Sequence, residues 1–338
     1  MASGDQILLT GVTGFIAKHI ALNLLEAGYA VRGSLRTPSR AEEVRNALAG
    51  HLSDASALDR LTFVELDLTD DAGWPEAVAG VDALVHTASP FPIIQPKDES
   101  ELIEPAVSGT LRAMRAAKSA GVERIVLTSS VVAAMWTKTA SGRAISEADW
   151  TDTSHPAASA YVKSKTLAEE AAWDFVAESP ETLLTTINPG LVIGRPLDKN
   201  YGSSLELIER IFAAKDPMLP DVGFPGVDVK DVAAMHLKAL EDPSTAGKRY
   251  LATTSWVTMR DVAETLQHAY PDRKIAKRQA PKLLLQFLSL FDPSIRTILP
   301  ALGIHLTIDN TRAREDMGME FTPVEEALLE SARAIEAG

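Results

Sequence analysis

Gln6-Ile7-Leu8-Leu9-Thr10-Gly11-Val12-Thr13-Gly14-Phe15-Ile16-Ala17 is the stretch that decides the fold. Its first five residues make a short apolar run that suits a strand buried on both faces. The run passes into Gly11 and Gly14, and a helical pattern follows. Ile16, Ile20, Leu24 and Leu25 lie near one face, and Gly28 closes it. Tyr29 to Leu35 then reads as a second strand. Between a strand and a helix, this glycine spacing is a phosphate-binding pattern. Gly11 permits the tight turn, Gly14 lets backbone come close to a pyrophosphate, and the open N–H groups of the helix face the anion. Ala17 stands where a third small residue lets the helix lie close on the strand. The same glycines would also suit an ordinary strand-to-helix turn, so the rest of the chain must decide.

The totals narrow the field. The 338 residues fit one large or two modest domains, and 46% apolar content is that of a soluble globular protein. A net charge of −13 argues against nucleic acid or an anionic membrane as partner, while leaving room for a local basic pocket. There is no cysteine, which removes disulfides and thiol catalysis, and the seven histidines are scattered without metal-ligand spacing. The first residues lack the basic-then-apolar pattern of a signal peptide, so a cytoplasmic location is expected. Leu283 to Leu302 is apolar but interrupted by Asp292, Pro293, Arg296 and Pro300. It reads as a pair of core or pocket-lining helices, not a membrane span.

An NAD site usually carries an acid at the end of the second strand, roughly 20 residues past the glycine turn, to hold the ribose 2′-hydroxyl. Here Arg36 ends the strand, with Arg32 before it and Arg40 beyond. A guanidinium suits a 2′-phosphate, which favours NADP(H) over NAD; the other reading makes these arginines solvated loop charges. Leu61 to Leu66 is a third strand ending at Asp67-Leu68, where Asp67 is placed either to reach an adenine edge or to cap the next turn. Val81 to His86 is a fourth, leaving Thr87-Ala88-Ser89 at its carboxyl end, where ligands of open parallel sheets lie. His86 itself reads as a packed histidine. A helix over Glu99 to Ala120, a strand over Arg124 to Thr128, a helix over Ala157 to Ala177 and a strand over Leu183 to Asn188 continue the alternation. This predicts an α/β fold: a Rossmann-type doubly wound parallel sheet over residues 1–190. A smaller, mainly substrate-binding α/β region, residues 191–338, is expected to interleave with the sheet edge.

Tyr161 and Lys165 are four apart and share a helix face. A phenol titrates near 10 in water, too high for proton transfer at neutral pH, and a nearby ammonium lowers it. Tyr161 could then give a proton to a carbonyl oxygen or take one from an alcohol. Taken alone, such a pair is common and usually structural.

Thr10-Gly11-x-x-Gly14-x-x-Ala17, Asp67-Leu68, Thr128-Ser129-Ser130, Tyr161-x-x-x-Lys165, Asn188-Pro189-Gly190 and Asp228-Val229-Lys230-Asp231-Val232-Ala233 follow one another in order. Over about residues 6 to 270 this set resembles the extended short-chain dehydrogenase/reductase family. The nearest branch is the dihydroflavonol 4-reductase-like one, which includes ketone, aldehyde and methylglyoxal reductases. The resemblance implies a catalytic set of Ser130 holding the substrate carbonyl, Tyr161 protonating it, and Lys165 holding the nicotinamide ribose and lowering the Tyr161 pKa. Alignment favours Ser130 over its neighbour Ser129. For NADP(H) it implies Gly11, Thr13, Gly14, Phe15 and Ile16 at the turn, Arg36 at the 2′-phosphate, and Asp67 and Leu68 at the adenine. Thr87, Ala88 and Thr128 would lie along the cofactor, with Pro189, Leu191 and Val192 beside the nicotinamide. It draws the substrate pocket from Ser89, Phe91, Val131, Met135, Leu191, Tyr201, Ser204, Phe224 and Pro225. Two departures stand out. Glu104-Pro105-Ala106-Val107-Ser108 precedes Gly109-Thr110 without the asparagine that many sugar-nucleotide epimerases carry there. Val131 to Lys138 also offers no equivalent of the polar pocket residue on which the plant flavonoid enzymes rely for the catechol ring, so flavonoid substrates do not follow.

The expected function is NADPH-dependent reduction of a small-molecule ketone or aldehyde, in a monomer or homodimer with no nucleic-acid or membrane partner. Two rivals stand beside it. An NAD-dependent epimerase or dehydratase would want an acid after the second strand. A non-catalytic NADP-binding sensor would usually have lost the tyrosine–lysine pair.

Overall fold

In the computed structural model, residues 1–90, 98–138 and 142–337 are described. The first half alternates strand and helix. The strands are β1 (Gln6–Thr10), β2 (Ala30–Leu35), β3 (Leu61–Glu65), β4 (Ala83–His86), β5 (Arg124–Thr128) and β6 (Leu183–Pro189). Between them run α1 (Phe15–Glu26), α2 (Ala41–Ala49), α3 (Trp74–Val78), α4 (Ser100–Ser119), α5 (Val132–Met135) and α6 (Ala160–Ala177). The second half contributes β7 (Leu191–Ile193), α7 (Gly202–Phe212), β8 (Gly223–Asp228), α8 (Val229–Glu241), β9 (Lys248–Ala252) and β10 (Trp256–Thr258). It closes with α9 (Met259–Ala269), α10 (Lys282–Leu288), α11 (Pro293–Ile298), α12 (Thr311–Met317) and α13 (Val324–Ala337).

Seven strands form one all-parallel sheet in the order β3-β2-β1-β4-β5-β6-β9. Strand residues alternate between the two helix layers because successive side chains point to opposite faces. Ile7 and Leu9 join Val31, Val85 and Val126 in the core under α1 and α8. Leu8, Leu84 and Ile125 join Trp74, Met114 and Ala117 under α3 and α4. Each fully buried Leu or Ile contributes about 1.5–3 kcal/mol, which is why near-continuous apolar strands are needed here. α6 packs against α4 on the second face. It starts where the Ser159 hydroxyl accepts from the Val162 N–H.

The chain order reverses between β1 and β4, so a crevice opens at their carboxyl ends. The second half does not stand apart from this sheet: β9 pairs with β6, and α8 packs on α1. A three-stranded sheet, β10-β8-β7, and the helices α7, α9 and α13 surround a separate apolar cluster. The region from Leu283 to Leu302 departs from expectation. It forms α10 and α11, but Leu283 is 81% and Phe291 74% exposed, so the pair is largely a surface element. Leu285 alone in α10 turns inward, because α10 rests on the molecule by one edge.

Candidate active site

The glycine turn builds the floor of the site. Gly11 has φ +68°, and a Cβ there would sit 3.0 Å from the backbone and side chain of Ala88. Its N–H donates to Ser34 Oγ at 3.1 Å, tying the turn to β2. No side chain caps α1 at Gly14, so the first-turn amides stay available to an anion. Opposite, the Thr10 hydroxyl accepts from the Thr87 and Ala88 N–H groups at 3.1 Å each. With both amides donating to it, it gives its own proton to His86 Nδ1, 2.9 Å away. His86 is thus a packed histidine; burial, then Lys165, holds its pKa down to about 3.

A cleft of about 800 Å³ runs over this floor, lined by Gly11, Thr13, Gly14, Arg36, Asp67, Leu68, Thr87, Ala88 and Ser89, with Leu102 and Pro105 of α4 as one wall. Of the three arginines near β2, Arg32 donates to the carbonyls of Glu76, Ala77 and Ala79. Arg40 is held by Glu43 at 2.8 and 2.9 Å. Arg36 is exposed at the cleft edge, and no hydrogen bond or salt bridge joins it to the described residues. Asp67 also lines the cleft, while its carboxylate accepts from the Thr69 N–H and hydroxyl, so it holds its own turn. This cradle fits a dinucleotide phosphorylated at the 2′ position: small residues at the turn, open amides, and an unengaged guanidinium where an acid would select NAD.

Beyond the cleft, the carboxyl end of β5 meets α6. Ser129 is turned away, its hydroxyl donating to Glu169 Oε2 at 2.6 Å. Ser130 is left to hydrogen-bond the Tyr161 hydroxyl. The structure therefore separates the two adjacent serines. Lys165 follows one turn along α6. Burial pushes the Tyr161 phenol above its ordinary value, with the Ser130 hydrogen bond acting against it. The shift of Tyr161 is thus opposite to the lowering expected from Lys165, and the group that opposes burial is Ser130 instead. Burial also brings Lys165 down to about 8, with the Glu169 carboxylate opposing. The cause is common to both, since low polarity favours each neutral form.

Several expected cofactor residues lie off the cleft. Phe15 and Ile16 pack on the core beneath α1, and Thr128 bonds His236 of α8 at 2.7 Å. Val192 is buried in the main core and Leu191 packs in the cluster of the second half. Pro189 accepts from the Val131 N–H in β6's last turn.

Of the expected pocket residues, Val131 and Met135 meet in an apolar cluster with Trp136 and Leu251, and Trp256, Ile304 and Leu306 pack on it. Pro225 is the strand partner of Trp256, and Phe224 lies beside it. Tyr201, just before α7, donates to Glu209 of that helix, and Ser204 lies in its first turn. Phe91 lies outside the described residues. Trp256, Glu169 and Arg249 were not singled out from sequence. Glu169 carried a usable signal, four residues beyond Lys165; Arg249, 80 residues further on, carried none. Among the described residues no group of His, Asp and Glu could hold a metal, and no helix is long and apolar enough to cross a membrane.

Residues 7–252 match the NAD dependent epimerase/dehydratase family. Cinnamoyl-CoA reductase 1 of Petunia hybrida is 32% identical over 338 residues, covering 99% of this chain and 93% of that protein. An anthocyanidin reductase of Vitis vinifera is 31% identical over 79% of this chain and 81% of its own. Among solved structures, yeast methylglyoxal/isovaleraldehyde reductase Gre2 complexed with NADPH is similar, with a TM-score of 0.79, 27% identity and 98% of each chain covered. Gre2 from Candida albicans with NADPH gives 0.80, 26%, and 98% and 99%.

Proposed function

The chain belongs to the NAD-dependent epimerase/dehydratase family, within its dihydroflavonol 4-reductase-like branch, and from that premise we propose that it is an NADPH-dependent carbonyl reductase. The observation that carries this reading is the Tyr161 hydroxyl bonded to Ser130 one helical turn from Lys165, together with a cleft edged by the exposed Arg36. NADPH supplies the hydride. Gly11, Thr13, Gly14, Thr87 and Ala88 would hold its phosphates and ribose, Arg36 its 2′-phosphate, and Asp67 and Leu68 its adenine.

Ser130 orients a ketone or aldehyde by donating to its oxygen. Tyr161 gives that oxygen its proton as negative charge develops there, and Lys165 stabilises the phenolate left behind. In this reading Val131, Met135 and Trp256, which share one apolar cluster, form the side on which the substrate's carbon body rests. The missing acid after β2 disfavours the epimerase alternative.

The test is fluorescence titration of purified protein with NADPH and NADH, then NADPH oxidation with methylglyoxal, isovaleraldehyde, cinnamoyl-CoA and simple ketones. Preference for NADPH with turnover on at least one carbonyl is expected. Equal affinity for both cofactors, or NAD retained through purification, would overturn the reading.

A further inference from the structure

A polar knot that the proposed chemistry does not use lies one helical turn beyond Lys165. Glu169 of α6 is 1% exposed and Arg249 of β9 is 6% exposed. Arg249 Nε donates to Glu169 Oε1 at 2.8 Å, and its Nη1 donates to the carbonyls of Glu147 and Asp149 at 2.9 and 2.7 Å. Its guanidinium lies 3.7 Å over the Trp150 ring. The same carboxylate accepts from Ser129 Oγ at 2.6 Å, Asn188 Nδ2 at 2.6 Å and Thr186 Oγ1 at 2.9 Å. Asn188 Nδ2 also donates to the Ser130 carbonyl at 3.2 Å. The carboxyl ends of β5 and β6, the strand β9 and one face of α6 therefore converge on one carboxylate. A buried ion pair is rarely more stabilising than well-packed apolar residues, so stability alone does not account for so saturated a network.

We infer that Glu169, clamped by Arg249, is a positioning residue for the reducing site: by holding Ser129 and Asn188 it fixes the turn that presents Ser130 to Tyr161, and it sets a negative charge one helical turn from the Lys165 ammonium. The inference rests on Ser130, Tyr161 and Lys165 being the reacting set. Around Lys165 stand Tyr161 and Glu169 on its own helix and His86 from β4. Around Glu169 stand Arg249 from β9 and Glu170 beside it. Behind Arg249, Glu147 faces Arg312 at 4.0 Å. Glu169 holds the Lys165 pKa up against burial. Removing its charge moves the loss of the ammonium to lower pH.

Two variants carry the test, each assayed with NADPH and methylglyoxal or isovaleraldehyde across the neutral and alkaline range. Ser129→Ala keeps the ion pair and removes one bond to the carboxylate. Its kcat should fall about tenfold or more through misplacement of Ser130, with its NADPH dissociation constant and alkaline limb unmoved. Glu169→Gln alone leaves Arg249 buried without a counter-ion, so it is combined with Arg249→Met. In that double variant the alkaline limb of kcat should shift down by about one pH unit. Wild-type kcat in Ser129→Ala, or an unshifted limb in a folded double variant, would assign the knot to packing alone. Tyr161→Phe run alongside separates the two readings: full turnover there overturns the reacting set. Lost turnover in Tyr161→Phe, with both other variants unaffected, overturns only the role of Glu169.

Discussion

Tyr161 and Arg36 divide the proposed reaction between proton transfer and cofactor choice, and single substitutions should separate those duties. Tyr161→Phe keeps the ring and removes the proton. It should lower kcat about 100- to 10,000-fold, while NADPH binding, read by fluorescence, changes by less than about threefold. Arg36→Ala acts on binding instead. Hydrogen bonds to charged groups contribute about 1.5–3 kcal/mol, so NADPH affinity should fall roughly 10- to 150-fold while NADH affinity barely moves. Parallel titrations measure both, and equal losses would return Arg36 to a surface charge. The sequence favoured Arg36 over Arg32 and Arg40 but did not show what would hold the other two. That took the tertiary partners, since a carbonyl cluster and Glu43 occupy the other two guanidinium groups. The choice between Ser129 and Ser130 had the same character: identical side chains one residue apart differ only in which way the end of β5 turns them.

At the level of elements, the glycine turn is the most constrained piece. Gly11→Ala places a Cβ against Ala88 in a left-handed backbone, at a cost of about 1–3 kcal/mol, and pushes the two walls of the cleft apart. The thermal midpoint should drop and NADPH binding should weaken together; loss of one without the other would separate the turn's structural and ligand roles. The strands and helices of the first half were legible because their signals are local: apolar runs, a 3.6-residue period, and glycines at the ends. β7 and β10, three residues each, were not, since so short a strand exists only through its pairing with β8. The α10–α11 pair shows the opposite limit. Its apolar content was plain in the sequence, but composition does not say which way a helix faces, and Phe287 and Phe291 meet edge to face at the surface.

For the molecule as a whole, buried titratable groups set an acid limit. His19, His86 and His236 are buried, and burial holds their pKa values down to about 4, 3 and 4. Unfolded, they titrate near 6.5. Folding thus favours neutral imidazole, and that stability is complete above 6.5 and lost as pH falls toward 4. Asp228 runs the other way, since burial pushes it from 3.8 up to about 6. Its contribution is complete below 3.8 and lost as pH rises through 6. Near pH 5 these four groups together bind about two more protons net in the unfolded chain, so their contribution to unfolding free energy should fall by about 2–3 kcal/mol per pH unit on acidification. Urea melts at a series of pH values measure this slope. Asp228→Asn, which stands in for the neutral carboxyl, should steepen it and raise stability above pH 7; a flat profile would show that these groups open to water in the fold.

The last strand of the main sheet has a consequence for how the protein is made. Because β9 comes from residues 248–252, β6 has no outer neighbour until about three-quarters of the polypeptide has been synthesised. At about 5–20 residues per second, translation of the roughly sixty residues between them takes several seconds. During that interval the nascent chain carries a bare parallel edge, and Glu169 is buried beside it without its counter-ion. The first half of the chain thus becomes self-sufficient only after roughly the first sixty residues of the second half have been added, which makes premature termination, more than point mutation, the event that would leave an adhesive fragment in the cell.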